Sequence, residues 1–268
     1  MSQINYEPTT EAPPPPVKGW GKNCITTRLE KQVEAEFVAS WTGLLVQGLR
    51  KGDNVRLTRG KVAHVAQNEN VRAFLLETDC DTFMSLDSDA DFEPGFLEAF
   101  RNYEPGHAYD LFQAFHLRRT WPPEAIWLAH NPHLDGALEQ QLVLGRGEQD
   151  LGLVGTHCAL IRREVFMAIY EAHGKPAGIP LNEFEWFTYP RHKEMSDEAQ
   201  FSHEARALGF RLGGTTEVGV NHITRRSIGW NEYQEYLTQT QARERGAYYH
   251  ELVTLVSEFT GETPQAVM

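Results

Sequence analysis

Apolar residues recur along this chain with two periods, one suited to strands and one to helices, and their order sketches the fold. Cys24-Ile25-Thr26 reads as a short strand. Val33, Phe37, Trp41, Leu44, Leu45 and Leu49 then fall at helical spacing, with Thr27-Arg28-Leu29-Glu30 fitting a capping box ahead of them and Gly52 closing the run. Asn54 to Thr58 predicts a strand, and Val62, Val65, Val71, Phe74 and Leu75 mark one face of a helix over about 61–77. A strand over Thr82 to Leu86 ends directly in Asp87-Ser88-Asp89, and Pro94 suits the first turn of a helix carrying Phe96, Leu97 and Phe100. Further strands are expected at Leu111 to Leu117 and Leu151 to Ile161. A helix from Arg163 should stop at Gly174, and one from Ser196 to Leu208 at Gly209, with a strand or two through His222. Between these helices lies an aromatic loop with Phe184, Trp186, Phe187 and Tyr189.

Strands alternating with helices predict one α/β domain of Rossmann-like build, a mostly parallel central sheet flanked by helices. The four consecutive prolines at 13–16 mark residues 1–20 as an extended, disordered tail. The domain proper spans 21–225, and 226–268 reads as a helical extension packed on it.

Composition narrows the function classes. The 268 residues are 41% hydrophobic and 23% charged, ordinary for a globular chain. No run approaches the roughly 20 apolar residues of a membrane span, and the start is polar and proline-rich rather than a secretory signal. The expectation is a cytoplasmic protein without integral membrane association. Three widely spaced cysteines, Cys24, Cys80 and Cys158, suggest neither a disulfide framework nor a cysteine zinc site. A net charge of −12 weighs against nucleic acid, and the arginines come only in pairs, at 118–119, 162–163 and 225–226.

The candidate chemistry centres on Phe83-Met84-Ser85-Leu86-Asp87-Ser88-Asp89-Ala90-Asp91. An apolar strand delivers two carboxylates to its carboxyl tip, the edge at which open α/β sheets bind ligands. A hard divalent cation relieves the repulsion between such carboxylates and can bridge two phosphates. Asp87, Asp89, Asp91 and Glu98 also match four positions of an EF-hand loop, but Phe92 stands where that loop needs glycine. Alone, an Asp-x-Asp triplet is as well explained as a solvated turn.

Three further segments change the balance. They are Val154-Gly155-Thr156-His157-Cys158-Ala159-Leu160-Ile161, Ser196-Asp197-Glu198-Ala199-Gln200-Phe201, and Val218-Gly219-Val220-Asn221-His222-Ile223. With the Asp-x-Asp segment, and in this order, they resemble glycosyltransferases of the GT-A type, family 2-like, over roughly residues 22–224. The resemblance implies a metal-dependent transfer of a sugar from a nucleotide-diphosphate sugar, with a UDP-sugar favoured, to a hydroxyl acceptor, with inversion expected. It implies manganese, or alternatively magnesium, held by Asp87, Asp89 and His222. Donor contacts would come from Thr26, Thr27, Arg28, Arg59, Asn68, Arg72, Asp87 and Ser88. Asp197 or Glu198 would be the catalytic carboxylate, and His157, Trp186 and Phe187 would meet the acceptor. Three features depart from the pattern: Asp197-Glu198 reverses the familiar Glu-Asp, His157 replaces a glycine, and Gln67 replaces an arginine.

The acceptor stays open between a glycan and modified DNA, the latter making the chain a glycosyltransferase of hydroxymethylated bases. A nucleotidyltransferase would require a glycine-rich basic loop near the amino terminus, which Thr26 to Lys31 does not provide. A non-catalytic nucleotide-sugar-binding protein would be indifferent to loss of Asp89.

Overall fold

The computed structural model describes residues 19–29, 33–117, 128–130, 138–140, 147–188, 196–223, 234 and 238. The proline-rich segment through 18, the chain beyond 238, Glu30, Tyr189 and the arginine pairs at 118–119 and 225–226 lie outside those residues.

Seven strands form the central sheet: β1 (Asn23–Leu29), β2 (Asn54–Arg59), β3 (Thr82–Asp87), β5 (Leu111–Phe115), β8 (Glu148–Asp150), β9 (Cys158–Arg162) and β10 (Leu212–Gly219). Their order is β2-β1-β3-β9-β5-β10-β8. The pairs β1/β2, β1/β3 and β5/β10 are parallel, whereas β9 runs against both β3 and β5, and β8 against β10. The sheet is therefore mostly parallel, with helices on both faces. Two small antiparallel pairs stand apart: β4 (Ala90–Asp91) with β11 (Asn221–His222), and β6 (Leu128–His130) with β7 (Leu138–Gln140).

The inner strands are buried on both faces, as crossover topology requires. Along β9, Cys158 and Leu160 enter one core while Ala159 and Ile161 enter the other. Phe83 and Met84 of β3 divide the same way. One core is covered by α2 (Ala63–Glu77), α4 (Arg163–Ile169) and α5 (Asp197–Ala207), through Phe74, Phe166 and Phe201. The other is covered by α1 (Ala35–Gly43) and α3 (Phe96–Arg101), through Phe37, Trp41, Phe96 and Phe100. Ser196 caps α5, its Oγ accepting from the Ala199 N–H at 3.1 Å. Gly209, at a φ of 89°, follows the helix end in the left-handed turn that glycine favours.

Three expectations need correction. Thr27 does not cap a helix: it lies inside β1, paired with Leu57 on one side and Leu86 on the other, and α1 starts eight residues later at Ala35. Strand pairing on both sides outweighs the local capping signal. The residue placed at the end of the tail, Trp20, is buried and stacks on Phe112 with ring centroids 6.3 Å apart. The single strand expected over 151–161 is instead β8 and β9 with an irregular buried segment between. There, three successive N–H groups are taken by side chains rather than by a strand: Val154 by Ser202 Oγ at 3.1 Å, Gly155 by Gln113 Oε1 at 2.8 Å, and Thr156 by Glu198 Oε1 at 2.9 Å.

Candidate metal and catalytic centre

Asp87 is the last residue of β3, at the carboxyl edge of the sheet, and Asp89 lies in the turn leading to β4. In an open α/β sheet this is the edge where ligands sit. Two long-range pairings bring partners to it. The β3/β9 ladder is extended by the Asp87 N–H donating to His157 O at 2.9 Å, which sets the His157 side chain beside the aspartates. The β4/β11 pair sets His222 opposite Ala90, and the Ile223 N–H donates to Asp89 O at 2.7 Å.

The resulting cluster is compact. His157 Nδ1 pairs with Asp87 Oδ2 at 3.2 Å, its role set by the ring's tautomer, and lies 3.6 Å from Asp89 Oδ1. His222 Nε2 lies 3.9 Å from the same Asp89 oxygen. One ligand atom each from Asp89, His157 and His222 falls within 4.8 Å of the others. Both histidines are buried, at 6% and 8% exposure. His222 donates its Nδ1–H to the carbonyl of Leu117, which leaves Nε2 with its lone pair toward Asp89. The 3.9 Å gap is too long for a hydrogen bond. Bonds of about 2.0–2.2 Å to one cation would place two ligand atoms roughly 3 to 4.4 Å apart. The residues present therefore fit a divalent ion.

His116 completes a cluster of three imidazoles, its ring 4.5 Å from that of His157 and edge-on to that of His222 at 5.8 Å. Gln113 uses Oε1 to accept from Gly155 and turns Nε2 to His116 Nδ1 at 3.0 Å, so His116 accepts there. Burial, and then the two neighbouring histidines, hold its pKa well below the ordinary value, and it is neutral. Neither His116 nor Gln113 stood out in the sequence. The available signal was a histidine at the carboxyl end of an apolar strand, the same signal that marked Asp87.

Glu198 lies one layer away, in the first turn of α5. Its Oε1 accepts from both the N–H and the hydroxyl of Thr156, and Gln67 Nε2 donates in turn to Thr156 Oγ1. Burial pushes the Glu198 carboxyl up to about 7. The Thr156 hydrogen bonds oppose the shift, while the Asp87 and Asp197 charges add to it. Gln67, which stands where an arginine was expected, is thus tied to this carboxylate.

The remaining predicted residues divide. Arg28 stands opposite Asp87 in the parallel register, and Thr26 opposite Ser85, with the Thr26 hydroxyl donating to Met84 O at 3.1 Å. Thr27 and Ser88 are buried near the same edge, and Arg59 is exposed at the end of β2. Asn68 and Arg72 are employed elsewhere. Asn68 donates to Phe187 O at 2.6 Å and accepts from the Trp186 and Phe187 N–H groups, while Arg72 donates to Phe184 O at 3.0 Å. Trp186 and Phe187 are core residues rather than a sugar platform. Phe187 is fully buried, and the Trp186 indole N–H donates to Phe166 O at 2.8 Å.

No protein-family model and no curated protein sequence matches the chain. Among solved structures it is similar to A197 from STIV, at 14% identity and a TM-score of 0.47, over 76% of this chain and 86% of that one. It is also similar to GalNAc-T7 crystallised with UDP, GalNAc and Mn2+, at 8% identity and a TM-score of 0.49. That match covers 80% of this chain and 47% of the other, so the present chain spans about half of it. Among the described residues no helix is long and apolar enough to cross a membrane.

Proposed function

We propose that this chain is a metal-dependent glycosyltransferase of the GT-A type, moving a sugar from a nucleotide-diphosphate donor to a hydroxyl acceptor. One observation carries the reading. The carboxyl edge of the sheet gathers Asp89, His157 and His222 into a cation-sized cluster, with Asp87 against His157 and a carboxylate of raised pKa, Glu198, one layer away. Carboxylate oxygens and buried imidazole nitrogens converging at one sheet edge form a donor set suited to a divalent ion.

Asp89, His157 and His222, with Asp87 beside them, would hold the ion. A bound divalent cation supplies charge to offset the diphosphate that departs. Arg28, opposite Asp87 near the carboxyl end of the adjacent strand, would meet the donor's phosphates. Glu198 is the general base: a carboxylate with a pKa near 7 is poised to take the proton of an acceptor hydroxyl at neutral pH. As that oxygen attacks the anomeric carbon, the bond from carbon to the diphosphate oxygen breaks, its electron pair leaves with the diphosphate, and configuration inverts. Asp197, beside it in the first helical turn, raises the basicity of Glu198 through its charge.

The test is thermal melting with UDP and a panel of nucleotide sugars, with and without Mn2+, in wild type and Asp89→Asn. A ligand that binds the native state raises the melting temperature by mass action. The reading predicts a nucleotide-dependent rise that needs metal and is lost in Asp89→Asn. Absence of any nucleotide effect, with or without metal, would sink it.

A further inference from the structure

We infer that the cluster is a complete transition-metal centre, loaded by a first-row cation in the absence of nucleotide, with His157 as its second imidazole ligand. The inference deepens the glycosyltransferase reading at the same site, but it is tested without a sugar donor.

The argument starts from the donor set. Two aspartates alone offer a cation only carboxylate oxygens and leave the rest of the coordination sphere to a diphosphate and water. Such a set suits magnesium, which keeps several waters and prefers oxygen. Here His157 and His222 add nitrogen donors that favour manganese, cobalt or zinc over magnesium. His157 occupies the position where the sequence pattern leads one to expect glycine, so this nitrogen belongs to this chain's own version of the site.

The scaffold is already assembled. The three ligands come from three separate places: Asp89 from the turn after β3, His157 from the segment entering β9, and His222 from β11. Each is fixed by backbone hydrogen bonds or by pairing across strands. The Asp89 carbonyl accepts from Ile223 N–H at 2.7 Å, the His157 carbonyl accepts from Asp87 N–H at 2.9 Å, and His222 is tied through Nδ1 to Leu117 O. Behind His157, the ring of His116 and the Gln113 amide hold a second layer of contacts. A preformed site does not need the nucleotide to order it, so the cost of bringing the ligands together is met by folding.

The experiment uses the full chain, stripped with a chelator, and metal ions alone. Co2+ is titrated first, read by its visible absorption, then Mn2+, Zn2+ and Mg2+ by calorimetry, all without nucleotide. Wild type should bind one Co2+, with Mg2+ weaker by at least about tenfold. His157→Asn keeps an amide able to donate to Asp87 but removes the imidazole. It should weaken Co2+ by at least about tenfold, the lower bound for disturbing even an outer-layer partner. Should that variant melt well below wild type, pulsed electron paramagnetic resonance of the wild-type Mn2+ protein decides instead, by counting coupled imidazole nitrogens. Two support the inference and one overturns it. It is also overturned if wild type binds no metal by itself, if Mg2+ binds as tightly as Co2+, or if a folded His157→Asn binds Co2+ unchanged. Metal binding with no response to any nucleotide would leave the centre standing and remove the transferase reading. Nucleotide binding that requires Mn2+, in a protein that takes no metal alone, would do the reverse.

Discussion

The two edges of the sheet bury charge in opposite ways. At the amino edge, Arg101 is enclosed with its side chain 1% exposed, and all three of its guanidinium nitrogens donate. It donates to Asp53 Oδ2 at 2.8 Å, to Gly48 O at 2.7 Å, and to Glu98 Oε2 from both Nε and Nη2. Asp53 in turn accepts from the N–H groups of Asn23 and Arg50, tying the starts of β1 and β2 together. Arg50, then Arg101, hold the Glu98 carboxyl down to about 2, the ordinary consequence of opposite charges in contact. At the carboxyl edge, Asp87 and Asp89 lie against His157 and His222, and burial pushes the Glu198 carboxyl one layer away up rather than down. One edge sets its buried carboxylate against a guanidinium, and the other gathers carboxylates and imidazoles, the groups that bind a divalent ion.

The largest expected effect comes from removing that guanidinium. Arg101→Met leaves Asp53 buried without its counter-charge, which should cost about 3–5 kcal/mol of folding stability. For a domain of this size that lowers the melting temperature by roughly 10 °C. Calorimetry or melting by circular dichroism reads the loss, and metal binding by the surviving folded protein should be unchanged. A neutral result would show that the two edges do not differ in kind.

The converse change belongs at the other edge. Asp89→Asn removes a charge from a crowded cluster, so the metal-free melting temperature should hold or rise. Transfer activity should fall about 10²–10³-fold, the scale set by loss of one group that stabilises developing charge. A variant that unfolds while the remaining folded fraction stays active would reverse the assignment of the two edges.

A smaller effect separates wall from site. Asn68 makes three hydrogen bonds to the segment at 186–187, so Asn68→Ala leaves buried N–H and C=O groups without partners. The expected cost is about 1–3 kcal/mol in stability, with nucleotide affinity kept once the protein is folded. A selective loss of nucleotide binding at unchanged stability would return Asn68 to the donor site.

What the sequence disclosed divides along the same lines. Strand and helix order was readable because each element carries its own period: β3 ends at Asp87 as expected, and α5 begins behind Ser196 with its cap in place. Local signals failed where tertiary pairing overrode them. Thr27 carries a capping motif yet sits between two parallel strands, and residues 154–156 look like strand but give their N–H groups to Ser202, Gln113 and Glu198. At the site, Asp87, Asp89, His222 and Glu198 were named because each sits in a recognisable segment, and the fold brings Asp89 and His222 together. His157 was assigned to the acceptor, since only the β3/β9 register shows that it faces the aspartates. His116 was missed because a strand's end does not reveal which side chains meet it. Trp186 and Phe187 were offered as a platform because aromatic composition alone does not distinguish a binding surface from a core.

The finest test of the contrast is the pH dependence of Glu198. Its folded pKa of about 7 lies above the 4.5 of a free glutamate, so the folded state holds this proton more tightly than the unfolded one. The stability this contributes is present in full below pH 4.5 and is lost as the pH rises to 7. A fully shielded carboxyl would account for about 3 kcal/mol over that interval. Glu198 keeps some exposure, and about 1–2 kcal/mol is the better expectation. Glu198→Gln cannot ionise and keeps an oxygen for Thr156, so it should melt with wild type at pH 4.5 and a few degrees above it at pH 8. Activity must move the other way. A general base works only when deprotonated, so wild-type turnover should rise with pH and level off above about 7, while the glutamine variant stays flat and low. Glu98, held near 2 at the opposite edge, should give no such slope between pH 5 and 8. If Glu198→Gln gained stability with pH but kept wild-type turnover, the carboxylate would be buried for a structural reason, and the base would have to be sought elsewhere at the carboxyl edge.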